Sequence, residues 1–119
     1  MIDHLEIKTS DLTATVAFYK TTLAPLGYSQ TVDGPAKGFG DGISLDFFVL
    51  EGTPSTDVHY AFRAPDRATV DLIYEGASKT GLTLDRAPAL AAHIHPNYYA
   101  GYLRDPDGRL VEFVCHEAE

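Results

Sequence analysis

The order of apolar and polar positions divides the chain into segments of two periods. Residues 2–8 alternate, with Leu5 and Ile7 on one face and His4 and Glu6 on the other, as in a half-buried strand. Asp11 then stands where a helix N-cap is expected. Leu12, Val16, Tyr19 and Leu23 follow at helical spacing until Pro25 and Gly27 end the run. Residues 28–32 and a short piece around Phe39 read as weaker strands, separated by Gly34 and Pro35. After Asp41-Gly42, residues 43–50 predict a firmer strand, with Leu45, Phe47 and Val49 on one face and Ser44, Asp46 and Phe48 on the other. Gly52-Thr53-Pro54-Ser55 has the composition of a linker.

The pattern then restarts. Residues 57–62 predict a strand, Asp66 an N-cap, and Val70, Ile73, Tyr74 and Ala77 one face of a helix that stops near Gly81. Residues 82–86 predict a short strand and 87–97 an irregular loop holding His93 and His95. A hairpin closes the chain: Asp105-Pro106-Asp107-Gly108 is turn chemistry between two apolar arms. In the second arm Val111, Phe113 and Cys115 share one face and Leu110, Glu112, Val114 and His116 the other. Glu112 is therefore a carboxylate among apolar neighbours, and such a group needs solvent or a strong partner.

Self-similarity makes the restart explicit. A shift of 55 places His4 on His59 and Asp11 on Asp66, and a shift of 66 places Asp41-Gly42 on Asp107-Gly108 and Asp46 on Glu112. The extra 11 residues fall to the loop with the two histidines. Two βαβββ modules result, an α+β fold. Each helix needs an apolar sheet face to cover, which leaves His4, Asp46, His59 and Glu112 on the opposite faces. Packed as pseudo-symmetric mates, the modules can bring these four into one cup.

Imidazole and carboxylate suit a divalent transition metal, with positions left open for substrate or water. Taken singly, each histidine also reads as a strand residue with a satisfied hydrogen bond. A tight closing turn would put Gly101 across from Glu112, point Tyr99 and Leu103 into the cup and turn Tyr102 toward the helix. On that expectation Tyr99 and Tyr102, with Tyr98, His93 and His95, are the nearby candidates for acid–base work. Arg63 shares the His59 face and could anchor an anion or form a surface ion pair. His116 is peripheral, and Cys115 reads as a small core residue.

Composition narrows the partners. One compact unit fits the length of 119 residues, and a formal charge of −8 argues against nucleic acid or an anionic membrane as partner. A single cysteine precludes an internal disulfide. A strand-like run is predicted from residue 2, so no signal peptide is expected, and no apolar run is long enough to span a bilayer. A soluble, cytoplasmic protein is expected.

The stretches DHLEIKTSDL, DVHYAF and DPDGRLVEFV, set in paired βαβββ modules, resemble the vicinal-oxygen-chelate superfamily. That group comprises glyoxalase-type lyases, fosfomycin and bleomycin resistance proteins and extradiol dioxygenases. The resemblance implies one glyoxalase-like domain over 1–119, module one spanning 1–52 and module two 56–119. Its strands would form a curved mixed sheet around a cupped site, with the helices on the outer face. It further implies a divalent ion, Fe, Mn, Ni, Co or Zn, held by His4, His59 and Glu112, with Asp46 where glyoxalases place a second carboxylate. Such an ion binds adjacent oxygens of a small molecule and stabilises enolate or oxyanion charge, in lyase, isomerase or dioxygenase chemistry. Glu112, Tyr99, His95 and Tyr102 are the catalytic candidates. Tyr102, Asp105, Pro106, Gly108 and Glu112 also match the dioxygenase signature, with His93 or His95 at an allowed distance, whereas Gly101 departs from it. A homodimer is implied, His4 coming from one chain and His59 and Glu112 from the other. The family also contains metal-free members, so a non-catalytic protein that binds or sequesters an antibiotic is the alternative expectation.

Overall fold

A computed structural model describes residues Met1–Glu119. Module one runs β1 (Leu5–Thr9), α1 (Leu12–Leu23), a 3-10 turn (Ala24–Leu26), β2 (Ser29–Asp33), β3 (Lys37–Gly40) and β4 (Leu45–Glu51). Module two repeats the order with β5 (Tyr60–Arg63), α2 (Arg67–Lys79), β6 (Thr83–Leu90), β7 (Tyr99–Arg104) and β8 (Leu110–Cys115). Both expected N-caps form. Asp11 Oδ1 accepts the Ala14 amide at 3.1 Å and Asp66 Oδ1 the Thr69 amide at 2.7 Å, each satisfying a donor that the first helical turn leaves free. Gly27 takes φ 82° and closes the first helical segment.

Hydrogen bonding divides the eight strands into two mixed four-stranded sheets, ordered β1-β4-β3-β2 and β5-β8-β7-β6. The first and last strands of each module pair in parallel, so a helical crossover is required and α1 and α2 supply it. One core joins the modules: Ile7, Phe47 and Val49 of the first sheet and Val111 and Phe113 of the second gather with Phe18, Tyr19, Leu23, Ile73 and Ala77 of the helices. Phe62 bridges them, its ring centroid 5.4 Å from Phe47 and 5.7 Å from Phe113. His4, Phe48, His59 and Glu112 belong to the faces away from this core.

The closing turn does more than reverse the chain. Asp105 and Arg109 are buried at 3% and 1% exposure, and Arg109 Nη1 donates to Asp105 Oδ2 at 2.9 Å. Arg109 also donates to the backbone oxygens of Lys8 and, at 3.0 Å, of Ser55. Tyr19 Oη donates to Asp105 Oδ2 at 2.7 Å, and Asp107 Oδ1 accepts Ser10 Oγ at 2.8 Å. The turn of module two is thereby clasped to β1 and α1 of module one. Each buried charge keeps a partner, as its desolvation demands.

Three expectations are corrected by register. The turn has three residues rather than two: Gly108 N bonds Asp105 O at 2.8 Å, Asp105 N bonds Arg109 O at 3.1 Å, and Gly108 sits at φ 89°. That extra residue slides the pairing by one, so Tyr102, not Gly101, lies across from Glu112. Tyr99 and Leu103 therefore face α2 and the core, and Tyr102 shares the face of Glu112. Second, β6 extends to Leu90, with its register shifting twice, and takes up the start of the expected loop. Pro88 packs over Gly101, where an added Cβ would meet its Cγ at 3.0 Å, which accounts for the missing side chain there. Third, β1 pairs Glu6 with Phe48 while β5 pairs Ala61 with Glu112. Since Ala61 is the mate of Glu6 at a shift of 55, Phe48 rather than Asp46 occupies the position matching Glu112.

Candidate functional site

His59 is set immediately before β5, and the parallel pairing of β5 with β8 brings it beside Glu112. Its Nδ1 lies 2.9 Å from the Leu110 carbonyl oxygen and its Nε2 2.9 Å from Glu112 Oε1. A carbonyl only accepts, so Nδ1 donates to Leu110, and the Nε2–Oε1 bond holds a second proton shared between the ring and the Glu112 carboxyl, a position that a metal ion would take in its place. The imidazole side chain is half exposed, whereas that of Glu112 is only 4% exposed. Glu112 Oε2 accepts the Tyr98 hydroxyl. Tyr102, across the β7–β8 pair, stacks on the His59 ring at 6.3 Å with an interplanar angle of 27°.

The hydroxyls around Glu112 are held protonated. Burial pushes the Tyr98 phenol up, and the hydrogen bond and charge of Glu112 push it further. Tyr102 is raised by burial first and by Glu112 second. Both phenols are thus donors across the neutral range and present O–H groups beside the carboxylate.

On module one, His4 precedes β1 as His59 precedes β5. Its Nδ1 is 2.7 Å from Asp3 Oδ1, which leaves Nε2 for another partner, and its ring meets Phe48 edge-on at 5.7 Å. The two modules thus repeat one arrangement with different chemistry, a histidine against Phe48 in the first and against Glu112 in the second. Asp46 is drawn away from this pattern. It is the extra residue where β4 shifts register against β3, and it accepts the Tyr28 hydroxyl at 2.7 Å. Burial and that bond raise the Tyr28 phenol to about 12. His4, Asp46 and His59 all border a cleft of ≈ 400 Å³ that also exposes Tyr60 and Phe62.

The remaining candidates divide between the faces. Tyr99 donates to Asp71 of α2 at 2.6 Å and carries the Arg67 guanidinium 5.4 Å from its ring centre, on the side away from Glu112. His95 lies on the 91–98 loop, its ring 5.4 Å from His116, which in turn meets Tyr98 at 5.1 Å. It reaches Glu112 only through these neighbours. His93 lines a hollow bordered by Tyr102 and Arg86. Arg63 is exposed, and Cys115 is fully buried beside Ala64 and Val70. Tyr98, one residue outside the strand, is the side chain that the reading of strand faces underweighted. Alternation assigns no face to a residue in a loop, so no periodic signal marks it.

The donor set fits a divalent ion in part. Two ligands at about 2.1 Å from an ion and at right angles are about 3.0 Å apart. The separation of His59 Nε2 and Glu112 Oε1, 2.9 Å, is of that size. A ring N–H bound to a carbonyl is also the usual second-shell support of a metal-ligating histidine. Within one chain, however, no three His, Cys, Asp or Glu side chains are grouped to hold an ion. Asp46, committed to Tyr28, does not join the pair.

A family model described as the Glyoxalase/Bleomycin resistance protein/Dioxygenase superfamily matches residues 1–113. Among solved structures, the chain is similar to a glyoxalase/bleomycin resistance protein from Albidiferax ferrireducens T118, with 20% identity, a TM-score of 0.77, and 96% of this chain and 97% of that one covered. A glyoxalase/bleomycin resistance protein/dioxygenase family enzyme from Burkholderia phytofirmans PsJN aligns with 19% identity and a TM-score of 0.73 over 98% of each chain. Lactoylglutathione lyase from Agrobacterium tumefaciens aligns with 21% identity and a TM-score of 0.68, over 97% of this chain and 92% of that one. At these identities the likeness is one of fold. No curated protein matches the sequence.

Proposed function

The chain belongs to the glyoxalase/bleomycin resistance protein/dioxygenase superfamily, and from that premise we propose that it is a divalent-metal-dependent enzyme acting on a small molecule with adjacent oxygen donors. The observation that carries this reading is the His59–Glu112 pair: a buried carboxylate and an imidazole with its Nδ1 already engaged, 2.9 Å apart on the face away from the helices. His59 and Glu112 would hold the ion, with His4 as third ligand. Because His4 is not grouped with that pair in one chain, the third ligand comes from a second copy, in a homodimer. An ion bound there supplies Lewis-acid stabilisation of negative charge on a substrate oxygen.

The chain's own residues do the rest. Tyr98 fixes the Glu112 carboxylate through Oε2 and, being held protonated, keeps its proton at Oη. Tyr102 presents a second hydroxyl beside the carboxylate and stacks its ring on His59. Proton movement between a substrate carbon or oxygen and these groups is the reaction class that the arrangement suits, as in lyase, isomerase or dioxygenase chemistry. His95, whose ring packs edge-on against His116 beside Tyr98, stands next to the site as a further candidate for acid–base work.

The test is metal stoichiometry on purified protein reconstituted with Fe, Mn, Ni, Co or Zn, for the wild type, His59→Ala and His4→Ala. One ion per site, lost in both variants, is expected, together with a rise in Tm on adding metal. Wild-type protein that binds none of the five ends the metal-enzyme reading.

One observation favours a second reading. Phe48 stands where Glu112 stands in the other module and packs on His4, so half of the cup is apolar. A protein that binds or sequesters a small molecule without turnover would use such a wall. Tight binding that persists in His4→Ala and needs Phe48 would select it.

A further inference from the structure

Beyond the Glu112 pair, the same face of the second sheet carries a separate hollow. Its volume is ≈ 140 Å³, and it lies between β6, β7 and the 91–98 loop. The register sets Arg86 and Ala89 of β6 against Tyr102 and Ala100 of β7, so these four share the Glu112 face. The floor is made of small side chains, chiefly Ala89 and Ala100, and Ile94 of the loop forms one wall. At about 30 Å³ per water-sized group, the space takes roughly four or five such groups.

Arg86 is the one guanidinium on the rim, with His93 beside it on the lining. The Arg86 guanidinium lies 4.1 Å from the centre of the Tyr102 ring, whose position is fixed by pairing with β8. Asp85 does not neutralise it, because that single carboxylate is shared: it is 3.4 Å from Arg86 Nε and 3.0 Å from Arg104 Nε. Arg104 lies outside the hollow and also donates to the Gly108 carbonyl oxygen at 3.1 Å, so the shared carboxylate leaves Arg86 with no acidic partner of its own. The Glu112 charge is on the far side of Tyr102, since β8 and β6 flank β7 on opposite edges, and is met by His59 and Tyr98.

From this geometry we propose that the hollow is a binding subsite for the carboxylate end of an organic acid, with Arg86 as its anchor. The planar fork of a guanidinium matches a carboxylate in two parallel hydrogen bonds, and Tyr102 holds that fork in place. The alanine floor takes a short alkyl chain. Resting on the function proposed above, this makes the substrate a small acid. Its carboxylate sits at Arg86 and its chelating oxygens lie by Glu112, two strand spacings or roughly 10 Å across the sheet, so the chain between them passes Tyr102 and is longer than the part that the hollow itself holds.

Titration of metal-free protein with butyrate, followed by amide NMR, tests the subsite without reference to turnover. Butyrate should bind with Kd on the order of 1 mM, as suits so small a ligand, with shifts centred on Ala89, Ala100 and Tyr102. Butan-1-ol and inorganic phosphate should bind at least about tenfold more weakly, and Arg86→Gln should cost butyrate about tenfold. Ala89→Leu, at an exposed position that leaves the fold intact, should fill the hollow and abolish the shifts. Unchanged butyrate affinity in Arg86→Gln, equal binding of phosphate, or shifts centred elsewhere overturns the proposal. Arg86-dependent binding in a protein that takes up no metal would uphold the subsite and remove the enzyme reading. Metal uptake with Arg86-independent binding would do the reverse.

Discussion

Tyr102 lies directly across the β7–β8 pair from Glu112, while its neighbour Tyr99 reaches the opposite side of the sheet to bond Asp71 of α2. A turn longer by one residue decides which tyrosine meets the carboxylate. Three tyrosines crowd positions 98–102, and only two of them are disposed to act on Glu112.

Conservative removal of single hydroxyls should separate them. Tyr98→Phe deprives Glu112 Oε2 of its donor and should cost about 1–3 kcal/mol in stability, since it leaves a buried oxygen unsatisfied. It should also change metal affinity, and Tyr102→Phe should do likewise. Tyr99→Phe should lose only a bond to a helix aspartate and leave metal affinity at the wild-type value. Isothermal titration with the reconstituting metal reads all three.

The clasp between modules should be a main determinant of stability. Asp105→Ala leaves the buried Arg109 guanidinium without its carboxylate and should cost about 3–5 kcal/mol in urea unfolding. Asp105→Asn keeps one acceptor oxygen and should cost less. Ser10→Ala, which removes an exposed partner of Asp107, should cost under about 1 kcal/mol.

Gly108 should be hard to replace although it has open space around it. No atom lies within 4 Å of an added Cβ, so the penalty of Gly108→Ala comes from the backbone at φ 89° alone. About 1–2 kcal/mol is expected, measured by denaturant midpoint at constant m-value. A variant that shortens the turn by one residue should move Tyr99 to the Glu112 face and abolish metal binding.

Alkaline pH should unfold the protein cooperatively. Six phenols, Tyr19, Tyr28, Tyr60, Tyr98, Tyr99 and Tyr102, are raised above the ordinary value of 10.0. Tyr28, raised by burial first, and Tyr99, raised by its bond to Asp71 first, both reach about 12. Each native phenol holds its proton where the unfolded one has lost it, so this contribution is fully present below pH 10.0 and is lost as pH climbs through about 12. Tyrosinate absorbance and circular dichroism should change together in that interval. Smooth ionisation with circular dichroism unchanged would contradict this.

Local chemistry made much of the fold legible. Asp11 and Asp66 announced both helices because an N-cap is an interaction over three residues. Period-two alternation assigned Glu112, His4 and His59 to the faces away from the core. The match of His4 to His59 held because both precede strands of the same module position. The mate of Glu112 was misassigned because a bulge at Asp46 and a turn of different length offset β4 and β8 from their crossover partners. Identical spacing from a turn does not survive an extra residue.

What the sequence by itself determined was therefore most of the elements, the helix caps, and the face on which His4, His59 and Glu112 stand. These depend on neighbours within a few positions, and the periods of strand and helix encode them directly. The tertiary structure alone decided that Glu112 meets His59, Tyr98 and Tyr102 rather than Tyr99, that Phe48 rather than Asp46 is its counterpart, and that Arg109 spans the modules. Those relations join residues 10 to 101 positions apart, and pairing register and loop length set them, which no local period records.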